Sequence, residues 1–178
     1  GGFLFSFGQF VPSWDSAYYK LLMSQNITYR AYLESKWYLM IIATVISTIL
    51  SVFYLYFGWQ AYAAVVAGAI YNLGVNSYLV LWGGAYVKTP IDLTSNKKAF
   101  GDKKAFNAKT ILLTIPKLIV PLILYGIGYY AQGDVLGYAL VVLSGILGFL
   151  FKDKVFKIIE NLYQTEKYKT IAAYEEKN

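Results

Sequence analysis

A reacting site needs an acid, a base, a nucleophile or a metal ligand held close together, and this sequence offers few candidates. It contains no His and no Cys, which excludes imidazole acid–base chemistry, disulfides and thiolate zinc sites. Its acids outside the tail are Asp15, Glu34, Asp92, Asp102, Asp134 and Asp153. All lie at the edges of apolar runs or in the polar gaps between them, and no two are paired inside a run. A phosphate loop of the form GxxxxGK[ST] is absent, because Gly101-Asp102-Lys103-Lys104 does not have the spacing. The chain is therefore expected to be non-catalytic on its own, with no ATP site, cofactor or metal.

The polar residues that do fall inside apolar runs are Asn72, Asn76 and Lys117. Ala64, Gly68, Asn72 and Asn76 recur every four residues, which puts a small-and-polar stripe on one helix face. Two readings follow for Gly68, Asn72 and Asn76. The stripe packs against another helix through amide hydrogen bonds of roughly 0.6–2 kcal/mol each, or it lines a translocation route. Lys117 stands between Pro116 and Pro121. A lysine inside a span is a functional candidate. Near the cytoplasmic end it can instead snorkel to the headgroups or serve a structural partner, which makes Lys117, with Lys36, a membrane-interface lysine.

The elements that must hold these residues follow from charge and hydropathy. Of 178 residues, 57% are apolar and only 15% charged, below the quarter or so usual in soluble domains. No charged residue occurs from Trp37 to Val87, a run long enough for two spans of about 20 residues each. The expected class is all-α, a polytopic helical membrane protein forming one transmembrane domain over 1–178. Residues 1–11 are the end of a span that begins upstream, so the chain is expected to be the C-terminal portion of a larger protein. Full spans are placed at 37–57, 61–82, 110–131 and 135–151. Pro116 and Pro121 are expected to kink the third of these. Ser144 and Gly148 form a small-xxx-small pair in the last.

Residues 13–25 form an interfacial elbow helix. Its expected apolar face is Trp14, Tyr18, Leu21 and Leu22, with Asp15, Ser16, Tyr19 and Lys20 largely off it. Thr28 is placed to cap the next helix. A tail helix over 152–168 carries an apolar face of Val155, Ile158, Ile159 and Leu162, suited to a membrane surface or a cytoplasmic loop. The net charge of +6 resides in the elbow, the Lys-rich stretch 88–109 and the tail. The positive-inside rule makes all of these cytoplasmic, with the chain a multi-pass protein of the bacterial inner membrane. This juxtamembrane pattern points to the lipid bilayer as a partner, not to nucleic acid.

The stretch GQFVPSWDSAYYKLLMSQNITYRAYLESKW resembles the cytoplasmic elbow of ABC-2 type permeases: a span, a short amphipathic helix, a turn, and a lysine that opens the next span. More closely, with the Lys-rich loop and the segment IPKLIVP, the chain is similar to an uncharacterised permease-like family of Bacteroidota membrane proteins. The resemblance implies a permease of an ABC-type exporter, whose separate ATPase subunit touches the elbow near Trp14, Asp15, Tyr18, Tyr19 and Leu22. Lys36 would anchor the following span. The N-terminal part of the same permease, or a second permease copy, would complete the route. Gln25-Asn26-Ile27 stands where the family's turn usually carries a Pro. The competing expectation is a non-transporting membrane scaffold or assembly factor that binds partners through its elbow and tail.

Overall fold

The computed structural model describes residues 15–16, 19–25, 27–86 and 108–175. The expected span end at 1–11, Trp14, Tyr18 and all but the last two residues of the Lys-rich stretch lie outside them. Every regular element among the described residues is helical. In chain order these are α1 (Tyr19–Ser24), α2 (Tyr29–Leu50), α3 (Trp59–Tyr71), α4 (Ser77–Gly84), α5 (Ala108–Gln132), α6 (Asp134–Leu150) and α7 (Lys152–Glu175). A 3₁₀ stretch, Ser51–Phe57, prolongs α2, and a π-helical turn, Asn72–Asn76, joins α3 to α4. Three helical stretches are long and apolar enough to cross a membrane: Tyr29–Phe57, Trp59–Gly84 and Thr114–Gln132. A fourth arises if α6 and α7, bent by 66° at their junction, count as one broken span.

Thr28 starts α2, its side chain accepting a hydrogen bond from the Ala31 N–H at 3.3 Å. Tyr29, Tyr32, Leu33, Trp37, Met40 and Thr44 then recur every three or four residues and are buried, while Ile42, Val45, Ile46 and Ile49 face outward. The hydroxyls of this helix do not stay free in apolar surroundings. Ser47 donates to the Ala43 carbonyl at 2.7 Å and Thr48 to that of Thr44 at 2.8 Å, as a span requires. Gly58 (φ 120°) and Gly133 (φ 87°) make the turns into α3 and α6, a left-handed backbone that costs a side-chain-bearing residue about 1 kcal/mol or more.

The α3–α4 rod is the centre of the bundle. Half of its most apolar stretch is buried, against 11% for the spans containing α2 and α5. Helix α6 lies against this rod and against α5. The approach is so close that a Cβ on Gly74 would fall on the Gly145 carbonyl, and one on Gly148 on the Gly74 carbonyl. The contact therefore runs through Gly145 and Gly148, not through Ser144, whose hydroxyl is turned back onto its own Val141 carbonyl at 2.7 Å.

The second core is aromatic. Trp37 stacks on Tyr78 (6.0 Å between centroids, 11°) and meets Phe156 edge-on at 5.8 Å. Its Nε1 donates to Ser77 Oγ at 3.0 Å. The Lys152 ammonium sits 4.3 Å from the Trp37 ring centroid. Arg30 bridges Glu34 (2.6 Å) and Asp153 (2.5 Å) and lies 4.8 Å over Phe156. Helix α7 thus folds back onto α2 and α4. Its inward face is Phe156, Ile159 and Tyr163, whereas Ile158, expected on the same apolar face as Ile159, is 63% exposed. The face is rotated because α7 meets two helices, and the Tyr163 hydroxyl reaches the Leu81 carbonyl at 2.9 Å, near the end of α4 where helix carbonyls lack backbone partners.

Candidate functional site

Two polar clusters fall on residues singled out by sequence. The first ties the elbow to the base of α2. Asp15 Oδ2 accepts from the Tyr32 hydroxyl at 2.7 Å and pairs with Lys36 Nζ at 2.6 Å. Asp15 and Lys36 each keep 21% side-chain exposure, so screening is partial, and the set is worth on the order of 1–2 kcal/mol. Tyr32 and Lys36 share this partner because i and i+4 lie on one helix face. Lys36, expected only as an interface anchor, is half of this ion pair.

The elbow's inward and outward residues differ from the expected faces. Ser16 and Tyr19 are buried, Tyr19 at 1% exposure, and Leu22 packs on the aromatic core. Leu21 is exposed, as are Ser24 and Gln25. An amphipathic wheel ranks residues by hydropathy, but here polar groups have partners inside: Asp15 meets a hydroxyl and an ammonium. Of the five residues assigned to an ATPase contact, Asp15, Tyr19 and Leu22 face their own chain, and Trp14 and Tyr18 lie outside the described residues.

The second cluster joins the central rod to α5. Asn76 Nδ2 donates to Asn72 Oδ1 at 2.7 Å and to the Lys117 backbone carbonyl at 3.1 Å. That carbonyl needs a donor. In a helix it would accept from the N–H of residue 121, and residue 121 is Pro. Helix α5 runs continuously from Ala108 to Gln132 through Pro116 and Pro121, with Asn76 satisfying the group that Pro121 leaves open. Asn72 and Asn76 are both buried (8% and 1% exposed). Gly68 stands apart, with nothing within 4 Å of the place its Cβ would occupy. The Lys117 side chain does not extend to solvent as a snorkelling residue would: it is 2% exposed, enclosed where α5 meets the bundle.

A third cluster was not legible as a site. Asp134, placed by the sequence only at the edge of an apolar run, accepts from the Tyr125 hydroxyl and from Gln60 Nε2 at 3.2 Å. Tyr138 donates to the Gln60 carbonyl at 3.3 Å. The available signal was that Gln60 and Asp134 each follow a turn glycine by one or two residues, which sets both at the same end of the bundle. Among the described residues no group of three or more acids could hold a metal ion.

This geometry defines an all-helical protein with three or four helices fit to cross a membrane, its polar groups gathered at the two ends and at one interhelical contact. The chain belongs to DUF5687, a family of unknown function, whose model matches residues 1–177. No curated protein and no solved structure matches it.

Proposed function

We propose that the chain is the membrane-spanning permease part of an ABC-type exporter in the bacterial inner membrane, with elbow, Lys-rich loop and tail cytoplasmic, driven by a separate ATPase subunit. The observation that carries this reading is the fixed connection from elbow to span. Asp15 holds Tyr32 and Lys36, and Leu22 packs on the cluster that contains Trp37. A push on the elbow would move the base of α2 instead of being absorbed by a loose loop. The ATPase would then touch the outward residues Leu21, Ser24 and Gln25, with Asp15, Tyr19 and Leu22 transmitting the movement. Coupling requires both halves: a surface free to be contacted and a rigid link behind it.

The test is co-purification of the full-length protein from its native membrane, looking for a stoichiometric ATPase. Asp15→Asn with Lys36→Met should leave that complex intact but uncouple ATP hydrolysis from transport. If no ATPase accompanies the protein and Leu21→Glu disturbs no partner, the reading fails. A scaffold role is favoured by a different observation, the outward exposure of Ile158 (63%) and Tyr168 (79%) on α7. It predicts a bound non-ATPase protein lost on Tyr168→Glu.

A further inference from the structure

At the contact between the central rod and α5, two buried side chains carry a polar group with no partner among the described residues. The Lys117 side chain is 2% exposed, and among the described residues no hydrogen bond or ion pair to its ammonium is present. Leaving such a charge buried and unpaired costs several kcal/mol. Asn76 Oδ1 is likewise buried without a hydrogen-bond partner, although the Nδ2 of the same amide is fully used. The two residues meet at one contact, since Asn76 Nδ2 donates to the carbonyl of Lys117 itself.

Both residues lie within stretches apolar enough to span a membrane, Lys117 toward one end of its own. At 1.5 Å per residue, Lys117 lies about 4–5 Å along α5 from Thr114, where the apolar stretch begins, and about 22 Å from Gln132. Asn76 lies about 12 Å from Gly84 at the end of the rod. The backbone at that level is also the least regular in both helices. The rod makes its π-helical turn at Asn72–Asn76, and α5 has lost the hydrogen bond that Pro121 cannot give. Interrupted helices are where membrane proteins place binding groups, and π-turns recur at functional sites.

We propose that Lys117 and Asn76 form an intramembrane binding site for an oxyanion, a phosphate or carboxylate group carried either by a water-soluble solute or by a lipid headgroup. The chemistry selects this class. An ammonium repels cations and offers N–H donors to negative oxygen. The Asn76 amide oxygen needs a donor, which the O–H of a hydrogen phosphate or a protonated carboxyl supplies. The bland alternative, a lysine merely trapped in packing, leaves both groups unsatisfied and gives no ligand response. The site does not depend on the ATPase reading, because binding is measured on this protein alone.

The experiment is a thermal unfolding titration of the purified full-length protein in phosphatidylcholine nanodiscs. One arm adds inorganic phosphate against chloride at matched ionic strength. The other compares nanodiscs with and without phosphatidate. The wild type should gain a saturable rise in melting temperature in at least one arm, and the responding arm tells a water-borne oxyanion from a lipid-borne one. Lys117→Met, which keeps the volume and removes the charge, should melt no lower than the wild type without oxyanion and need at least tenfold more oxyanion for the same shift. Should that variant fail to accumulate, ¹⁵N-lysine spectra of the wild type decide: one side-chain resonance must move on titration. No response in either arm, an unchanged response in Lys117→Met, or unmoved lysine resonances would overturn the proposal.

Discussion

Replacing Asn76 by Leu tests whether one side chain substitutes for the backbone hydrogen bond that proline removes. The change deletes donors to the Lys117 carbonyl (3.1 Å) and to Asn72 Oδ1 (2.7 Å). Stranding a buried acceptor costs about 1–3 kcal/mol in a soluble core, while interhelical bonds in membranes average about 0.6 kcal/mol. Two acceptors are stranded, but the unpartnered Asn76 Oδ1 disappears with the amide. The net loss is about 1–2 kcal/mol, taking the lower range for each bond. Pro121→Ala then gives the discriminating background. An alanine N–H can donate to the Lys117 carbonyl, so Asn76 becomes partly redundant. The cost of Asn76→Leu should fall by about 1 kcal/mol in that background, a coupling that independent sites do not show. Equilibrium unfolding in mixed micelles, with the denaturing detergent as titrant, measures all four proteins of the cycle. Additive effects, within about 0.3–0.5 kcal/mol, would refute the reasoning and make Asn76 an ordinary packing residue.

Other outcomes follow from the same geometry. Gly145→Ala should destabilise by about 1–3 kcal/mol, because its Cβ would lie 2.6 Å from the Ile70 carbonyl oxygen. Gly68→Ala meets nothing within 4 Å and should stabilise by about 0.5–1 kcal/mol through helix propensity; thermal unfolding of the pair in one detergent separates them. Asp15→Asn and Lys36→Met should each weaken the elbow's attachment, with a coupling energy of about 0.5–1 kcal/mol that shrinks at high salt, read by proteolysis within the elbow. Trp37→Phe loses the bond to Ser77 and part of the Lys152 contact, a loss of about 1–2 kcal/mol visible as a lower unfolding midpoint.

The helical class was legible because a charge-free run from Trp37 to Val87 has few other uses. The stripe of Asn72 and Asn76 was legible from spacing alone. What it touches was not, since that depends on how far two helices slide along each other, and periodicity carries no such register. Part of the answer was nevertheless written in the chain: Pro121 strands the carbonyl of residue 117 by simple counting, so a donor had to come from elsewhere. The elbow misled for a different reason. Hydropathy sets Asp15 off the apolar face that holds Leu21, but Tyr32 and Lys36 give Asp15 partners within the fold, while Leu21 is exposed. The tail face rotated for a similar cause, its orientation set by Trp37 and the Leu81 carbonyl, neither of which belongs to the tail.

The return of α7 over α2 and α4 bears on how the protein is made. Trp37 and Tyr78 leave the ribosome well before Phe156, and Phe156 is the residue that closes over both. Until then the indole and phenol rings lack their Phe156 neighbour, although Phe149 already meets Trp37, and the Leu81 carbonyl has no Tyr163 hydroxyl. A chain interrupted after Leu150 would keep its long apolar helices and still display part of that aromatic surface. Helix α7 is thus the part of the fold that shields this aromatic surface, and its removal should lay Trp37 and Tyr78 open.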